Sequence, residues 1–150
     1  MEKVKEGRLL SRDFCLLAVA NSLMFFSFYA LMPLLPFYLG DVFGVNYSMA
    51  GAILASYSVA CIVVRPIAGY LLDAFRQRPL YLLGYCAFAA LFCGYAFAAA
   101  LGVFVVFRIM HGLAFGLTSV SGNTIASEIV PRGRMGEGLG IYGLSNTLAM

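Results

Sequence analysis

Arg108 and His111 are the side chains whose types and spacing in this sequence best suit chemistry. They stand three residues apart, and Arg108 is the only charged residue between Pro79 and Ser127. If this segment is helical, residues three apart share one face, and Gly112 leaves space beside the guanidinium. Such a pair can bind a substrate or pass a proton in a polar cavity, and we interpret it as a candidate substrate or proton pathway.

Other arrangements of reactive residues are lacking in the sequence. It contains no glycine-rich phosphate loop, zinc motif or nucleophile elbow. The four cysteines lie in apolar segments without the spacing of metal ligands, and we interpret them as small hydrophobic residues. The sequence therefore predicts neither an enzyme nor a cofactor or metal site.

The elements that must position Arg108 and His111 follow from the composition. Apolar residues form 62% of the chain, charged residues only 11%, and the mean hydropathy is +0.89. A soluble domain of this size cannot bury so much apolar surface, which argues against a soluble enzyme, a disordered tail or a secreted disulfide module. A membrane-spanning helix needs roughly 20 apolar residues. The charge-free runs predict an all-α integral membrane protein in the lipid bilayer, with spans at about 14–38, 48–71, 80–99, 103–126 and 138 onward.

The basic residues outside these spans predict the orientation. They precede the first span or lie in the connections after the second and fourth spans, at Lys3, Lys5, Arg8, Arg12, Arg76, Arg78, Arg132 and Arg134. The other two connections contain no Lys or Arg. The positive-inside rule therefore places the N-terminus in the cytoplasm of a multi-pass plasma-membrane (in bacteria, inner-membrane) protein. This distribution leaves no basic patch for nucleic acid.

Polar residues are concentrated in the first, second and fourth predicted spans. Because polar groups in hydrocarbon usually face a cavity or another helix, we predict that these spans line a cavity or pack tightly, and that the third is peripheral. The candidate lining residues besides Arg108 and His111 are Asn21, Tyr29, Tyr57 and Asn123. Snorkelling is the alternative for Arg108, which lies roughly 9 Å from the outer end of its span. We favour the cavity because an arginine on a lipid face is costly.

Glycines at helical spacing predict close helix packing. Gly112 and Gly116 form a pair of small residues four apart in the fourth span. Further glycines open the fifth span, at Gly138, Gly140 and Gly143. We interpret all five as helix-packing residues.

Three segments together resemble the major facilitator superfamily. The segment Arg65-Pro66-x-x-Gly69-x-x-x-Asp73, which closes the second span, resembles the loop 2–3 signature G-x-x-x-D-(R/K)-x-G-(R/K)-(R/K). Gly69, Asp73 and Arg78 match it, and the departures are Ala74, Arg76 and Gln77. Arg108-x-x-His111-Gly112 resembles the motif R-x-x-Q-G of the drug:proton antiporter branch, with His in place of Gln. Pro131-Arg132-Gly133 and the glycines after it resemble that branch's entry into helix five.

The resemblance implies a twelve-helix secondary transporter of which this chain is the N-terminal portion, with the C-terminal half as its missing partner. Alternating access by two halves, and proton-coupled efflux of a small solute, follow from the same resemblance. It assigns Gly69, Asp73, Arg76 and Arg78 to conformational control. These 150 residues alone are expected not to transport. The sequence does not identify the substrate, and a small non-transporting membrane protein or accessory subunit remains the alternative.

Overall fold

A computed structural model describes residues 10–149, and every regular element among them is helical. The α-helices are α1 (Arg12–Leu31), α2 (Leu34–Phe43), α3 (Tyr47–Ala74), α4 (Gln77–Gly94), α5 (Leu101–Ile129) and α6 (Met135–Thr147). Single 3-10 turns, Tyr95–Phe97 and Arg132–Arg134, follow α4 and α5. Lys3, Lys5 and Arg8, which contribute to the predicted orientation, lie outside the described residues.

Four helical segments are long and apolar enough to cross a membrane: Arg12–Leu31, Tyr47–Ala74, Gln77–Phe97 and Leu101–Ile129. At about 1.5 Å per residue, even the shortest, with 20 residues, reaches about 30 Å, the thickness of a hydrocarbon core. The all-helical membrane class predicted from the sequence is confirmed.

The first predicted span, 14–38, is not one continuous helix. The chain leaves the helical path after Leu31, and α2 begins at Leu34 with Pro33 as its N-cap. Proline disfavours helical geometry at the residue before it. Pro36 is tolerated because it lies in the first turn of α2, where backbone N–H groups have no intrahelical acceptor. The interruption shortens the membrane-spanning helix to α1.

Local signals explain where α2 ends and α3 begins. Gly44 adopts a left-handed φ of 65°, and its N–H donates to the carbonyl of Gly40 at 3.0 Å. A residue with a Cβ would be strained in this conformation. Two residues later, the Asn46 side chain accepts a hydrogen bond from the Met49 N–H at 2.8 Å and caps α3. These two caps set the short connection between α2 and α3.

The described chain forms two compact units. The first comprises residues 10–30 and 122–149, and the second comprises Leu31–Ser121. The second unit contains a core from α2, α3, the turn after α4 and the start of α5, formed by Leu35, Leu39, Ala50, Ile53, Tyr95, Ala98 and Phe104. Because lipid is as apolar as these side chains, close packing rather than water exclusion holds such a core together.

In the first unit, polar contacts join α1 to α6. Asn21 Nδ2 donates to Ser145 Oγ at 2.9 Å and also to Asn146 Oδ1. Ser22 Oγ donates to the Ser145 carbonyl at 2.7 Å. Phe14 packs against Tyr142, with ring centroids 6.5 Å apart. We call these Asn21, Ser22, Ser145 and Asn146 contacts the α1–α6 polar clasp.

Candidate functional site

The buried face of α5 carries the polar pair that the sequence singles out. Arg108 and His111 are each only 1% exposed, although a guanidinium is rarely found fully buried. They lie in the second unit among aromatic rings from α3, α4 and the turn after α4, contributed by Tyr57, Phe88, Phe92 and Tyr95. We call Arg108, His111 and these rings the Arg108 cluster.

The Arg108 charge faces aromatic rings of the second unit. Its Cζ atom lies 4.8 Å from the ring centroid of Tyr57 and 6.0 Å from that of Tyr95. Its Nε and Nη2 atoms have no hydrogen-bond partner among residues 10–149. Removing such an ion from water costs several kcal/mol, whereas a desolvated cation–π contact returns about 2 kcal/mol. Residues 10–149 therefore compensate the buried charge only in part.

His111 is held by Tyr95 and by ring packing. The Tyr95 hydroxyl lies 3.0 Å from His111 Nδ1, and the Phe88 ring centroid lies 4.3 Å from that of His111. A neutral imidazole that accepts the phenolic hydrogen at Nδ1 carries its own proton on Nε2; this tautomer is assigned from the network. His111 Nε2 has no hydrogen-bond partner in the described part of the chain. The pair thus presents three nitrogen donors without acceptors.

Glycines bring the helices close enough to form the Arg108 cluster. A Cβ on Gly112 would clash with the carbonyl oxygen of Tyr57 and lie 3.1 Å from the Cβ of Ala60. A Cβ on Gly116 would lie 2.8 Å from the carbonyl oxygen of Cys61. The backbones of α3 and α5 therefore approach closely at both positions, which places the Tyr57 ring against His111.

α4 makes a similar close approach that the sequence did not reveal. A Cβ on Gly84 would lie 2.5 Å from Thr118 Oγ1. One turn later, Phe88 is buried against His111. The third span, predicted to be peripheral, thus supplies Phe88 and, in the turn after α4, Tyr95 to the Arg108 cluster. For Phe88, the glycine four residues earlier was a sequence signal of close packing; Tyr95 has no glycine at that spacing.

The other candidate lining residues belong to the first unit. Asn21 is buried and its amide donates within the α1–α6 polar clasp. Tyr29 is half-buried, and its nearest ring is that of Phe28 on the same helix, at 5.3 Å. Asn123 is exposed on α5. Of the six predicted lining residues, the Arg108 cluster therefore contains Arg108, His111 and Tyr57.

The residues assigned to conformational control lie around the α3–α4 connection. Asp73, Arg76 and Arg78 are exposed. A Cβ on Gly69 would meet open space. This surface of the second unit is therefore accessible, and its predicted role remains a prediction.

The predicted packing glycines of α6 are less closely packed than Gly112 and Gly116 of α5. Gly138 is buried, but a Cβ on Gly140 or Gly143 would meet nothing within 4 Å among the described residues.

Just before these glycines, Arg134 Nε and Nη2 donate to the two carboxylate oxygens of Glu137 at 2.8 and 2.7 Å. This exposed contact lowers the pKa of Glu137 below its ordinary value, because it stabilises the carboxylate.

Four apolar spanning helices define a multi-pass membrane protein. Comparison with known sequences identifies its family. The sequence profile of the Major Facilitator Superfamily matches residues 17–150, and the chain belongs to this superfamily. No solved structure matches the chain.

The chain is similar to parts of several bacterial proteins. It is 30% identical over 98 residues to the uncharacterized MFS-type transporter YqjV of Bacillus subtilis (strain 168). The aligned residues cover 65% of this chain and 24% of YqjV. It is 27% identical over 105 residues to the uncharacterized MFS-type transporter Rv1250 of Mycobacterium tuberculosis (strain ATCC 25618 / H37Rv). This alignment covers 70% of the present chain and 18% of Rv1250. It is 34% identical over 97 residues to the putative metabolite transport protein YwtG of Bacillus subtilis (strain 168). This alignment covers 62% of the present chain and 20% of YwtG. The chain thus spans about a quarter of these relatives or less.

Proposed function

We propose that this chain is part of a secondary transporter that moves a small solute across the plasma membrane by alternating access. The observation that carries the proposal is the burial of Arg108 and His111 within a spanning helix, with nitrogen donors that lack acceptors in the described chain. Ionisable groups at such positions are costly and are typically functional. Superfamily membership and the transporter names of the relatives support the same proposal.

We further propose proton-coupled efflux, as in the drug:proton antiporter branch. The support is the segment Arg108-x-x-His111-Gly112, which resembles that branch's fourth-helix motif. Histidine at the fourth position of this motif is itself a group that can gain and lose a proton. In this proposal Arg108 and His111 belong to the substrate or proton pathway, and Asp73 acts in the conformational exchange.

A flux assay tests both levels of the proposal. The protein is expressed from its complete gene in cells that lack their own efflux systems, and inside-out vesicles are screened for solute accumulation. We expect accumulation that is saturable and abolished by a protonophore. Accumulation that the protonophore does not reduce would contradict proton coupling. Absence of flux for every solute of a broad panel would favour a non-transporting membrane protein.

A further inference from the structure

Tyr95 contacts both members of the polar pair on α5. Its hydroxyl lies 3.0 Å from His111 Nδ1, and its ring centroid lies 6.0 Å from Arg108 Cζ. The sequence motifs do not include Tyr95, which lies in the turn after α4. Its role therefore follows from the structure alone.

The turn after α4 and the rings of α5 hold the Tyr95 side chain in place. The Ala98 N–H donates to the Tyr95 carbonyl at 3.2 Å and closes the turn. The ring of Tyr95 packs against those of Phe104 and Phe107, with centroids 5.1 and 6.4 Å away. Residues 104, 107 and 111 share one face of a helix. Tyr95 thus lies along this face of α5, with its hydroxyl at His111.

Two considerations give the direction of the hydrogen bond between Tyr95 and His111. An imidazole nitrogen is a much better proton acceptor than a phenolic oxygen, so the hydroxyl is the donor. In addition, Arg108 forms a side-chain hydrogen bond with Tyr95. A guanidinium has donors only, so the Tyr95 oxygen accepts from Arg108 and its hydrogen is left for His111 Nδ1.

This arrangement covers the one atom of neutral His111 that can take up a proton. With one proton on Nε2, the only lone pair of the ring is on Nδ1. That lone pair is occupied by the Tyr95 hydroxyl. The other groups that face the imidazole are Arg108 on α5, Tyr57 on α3, and Phe88 and Phe92 on α4.

We propose that Tyr95 is the positioning residue of His111: it covers Nδ1, so that His111 takes up a proton only when the turn after α4 moves away from α5. In that step the incoming proton binds the Nδ1 lone pair, the ring becomes an imidazolium, and Tyr95 keeps its own hydrogen. This inference rests on the proposed proton-coupled transport and deepens it, because it ties the proton step to movement of one named turn.

Nitrogen-15 spectra of the protein in lipid bilayers test the covering of Nδ1 without any transport. The protein is expressed from its complete gene with labelled histidine, and comparison with His111→Gln identifies the His111 signals. At about pH 8 an imidazole with an ordinary pKa of about 6.5 is neutral. We expect a single tautomer, with a proton on Nε2 and an Nδ1 signal shifted upfield by an accepted hydrogen bond. A proton on Nδ1 would overturn the proposal.

A variant assigns the hydrogen bond to Tyr95. Tyr95→Phe removes the hydroxyl but keeps the ring that packs against Phe104. The His111 Nδ1 signal should move downfield in this variant, or a second tautomer with a proton on Nδ1 should appear. Tyr47→Phe, which removes the hydroxyl of an exposed tyrosine at the start of α3, is the matched control and should leave the His111 signals unchanged. Unchanged signals in Tyr95→Phe would overturn the proposal. The wild-type spectrum remains decisive if that variant does not fold.

A flux measurement separates this inference from the proposed function. In inside-out vesicles under a fixed proton gradient, Tyr95→Phe should lower the steady-state accumulation of solute several-fold, because His111 then gains protons without movement of the turn. Accumulation equal to that of the wild type would overturn the role of Tyr95 in proton uptake and leave transport standing. If the wild type moves no solute, the proposed function fails, whereas the spectra still decide whether Tyr95 covers Nδ1.

Discussion

At the scale of single residues, Arg108 is a cation enclosed by aromatic rings. Its neighbours Tyr57 and Tyr95 supply cation–π contacts, and its Nε and Nη2 atoms have no hydrogen-bond partner among residues 10–149. A protein retains such a costly charge where the charge has a task. Substitution of Arg108 should therefore have a large effect, because few other side chains in the Arg108 cluster can replace its hydrogen-bond donors.

We predict that Arg108→Ala abolishes transport while leaving membrane insertion intact. Removing a charge from an apolar helix eases insertion, by up to about 2.5–3.5 kcal/mol at the centre of the membrane and by less near its surface. Arg108→Lys should also transport poorly, since an ammonium lacks the planar donor edge. Flux measurements at matched membrane levels of protein test this. Normal flux in the Ala variant would instead assign Arg108 to a snorkelling or packing role.

At the scale of helices, close contact between α3 and α5 determines the shape of the site. Gly112 and Gly116 lie against backbone carbonyls of α3. This contact sets the distance between the Tyr57 ring and the α5 side chains that it faces. The glycines therefore act on the Arg108 cluster through helix spacing.

We predict that Gly112→Ala destabilises the protein and disturbs the Arg108 cluster. Its methyl group would clash with the Tyr57 carbonyl oxygen, so α3 must move. Overpacking of this kind typically costs about 1–3 kcal/mol. Gly140→Ala on α6 is the matched control, because its methyl group meets open space and alanine favours helices over glycine by about 1 kcal/mol. Thermal unfolding in detergent should show a lower midpoint for the first variant only; equal midpoints would contradict the close approach.

Particular helices show what the sequence could and could not predict. The long helices were predictable because hydropathy and charge are local properties of a segment. The interruption at Pro33 was missed because neighbouring helices decide whether a proline bends a membrane helix or ends it. Arg108 and His111 were found through the cost of polar groups in hydrocarbon. Phe88 and Tyr95 were missed as their partners, since contacts between distant segments leave no periodic signal in the sequence.

At the scale of the whole molecule, orientation in the membrane is a prediction that labelling can test. A cysteine replaces Asn46 or Gln77 in a background without Cys15, Cys61, Cys86 and Cys93. We predict that intact cells expose the cysteine at 46, but not the one at 77, to an impermeant thiol reagent, because the basic residues flank the connection at 77. The reverse pattern would invert the orientation and every role inferred from it.

Exchange between inward-open and outward-open states is the whole-molecule property proposed for Asp73. It is exposed near the inner end of α3 by the predicted orientation. Asp73→Asn preserves the shape of the side chain and removes its charge. We predict slower turnover with substrate affinity changed much less, as measured by flux against substrate concentration and by direct binding. Lost affinity at unchanged turnover would place Asp73 in the binding site.

The α1–α6 polar clasp has a consequence for biosynthesis. Asn21 and Ser145 are separated by 124 residues, and a ribosome adds about 5–20 residues per second. The Asn21 amide of a newly inserted α1 therefore waits about 6–25 s before its acceptors on α6 exist. Throughout that interval an unsatisfied amide in hydrocarbon is costly. We therefore expect the nascent α1 to remain beside the insertion machinery, at its water-filled groove, and to enter the lipid only after α6 has been synthesised.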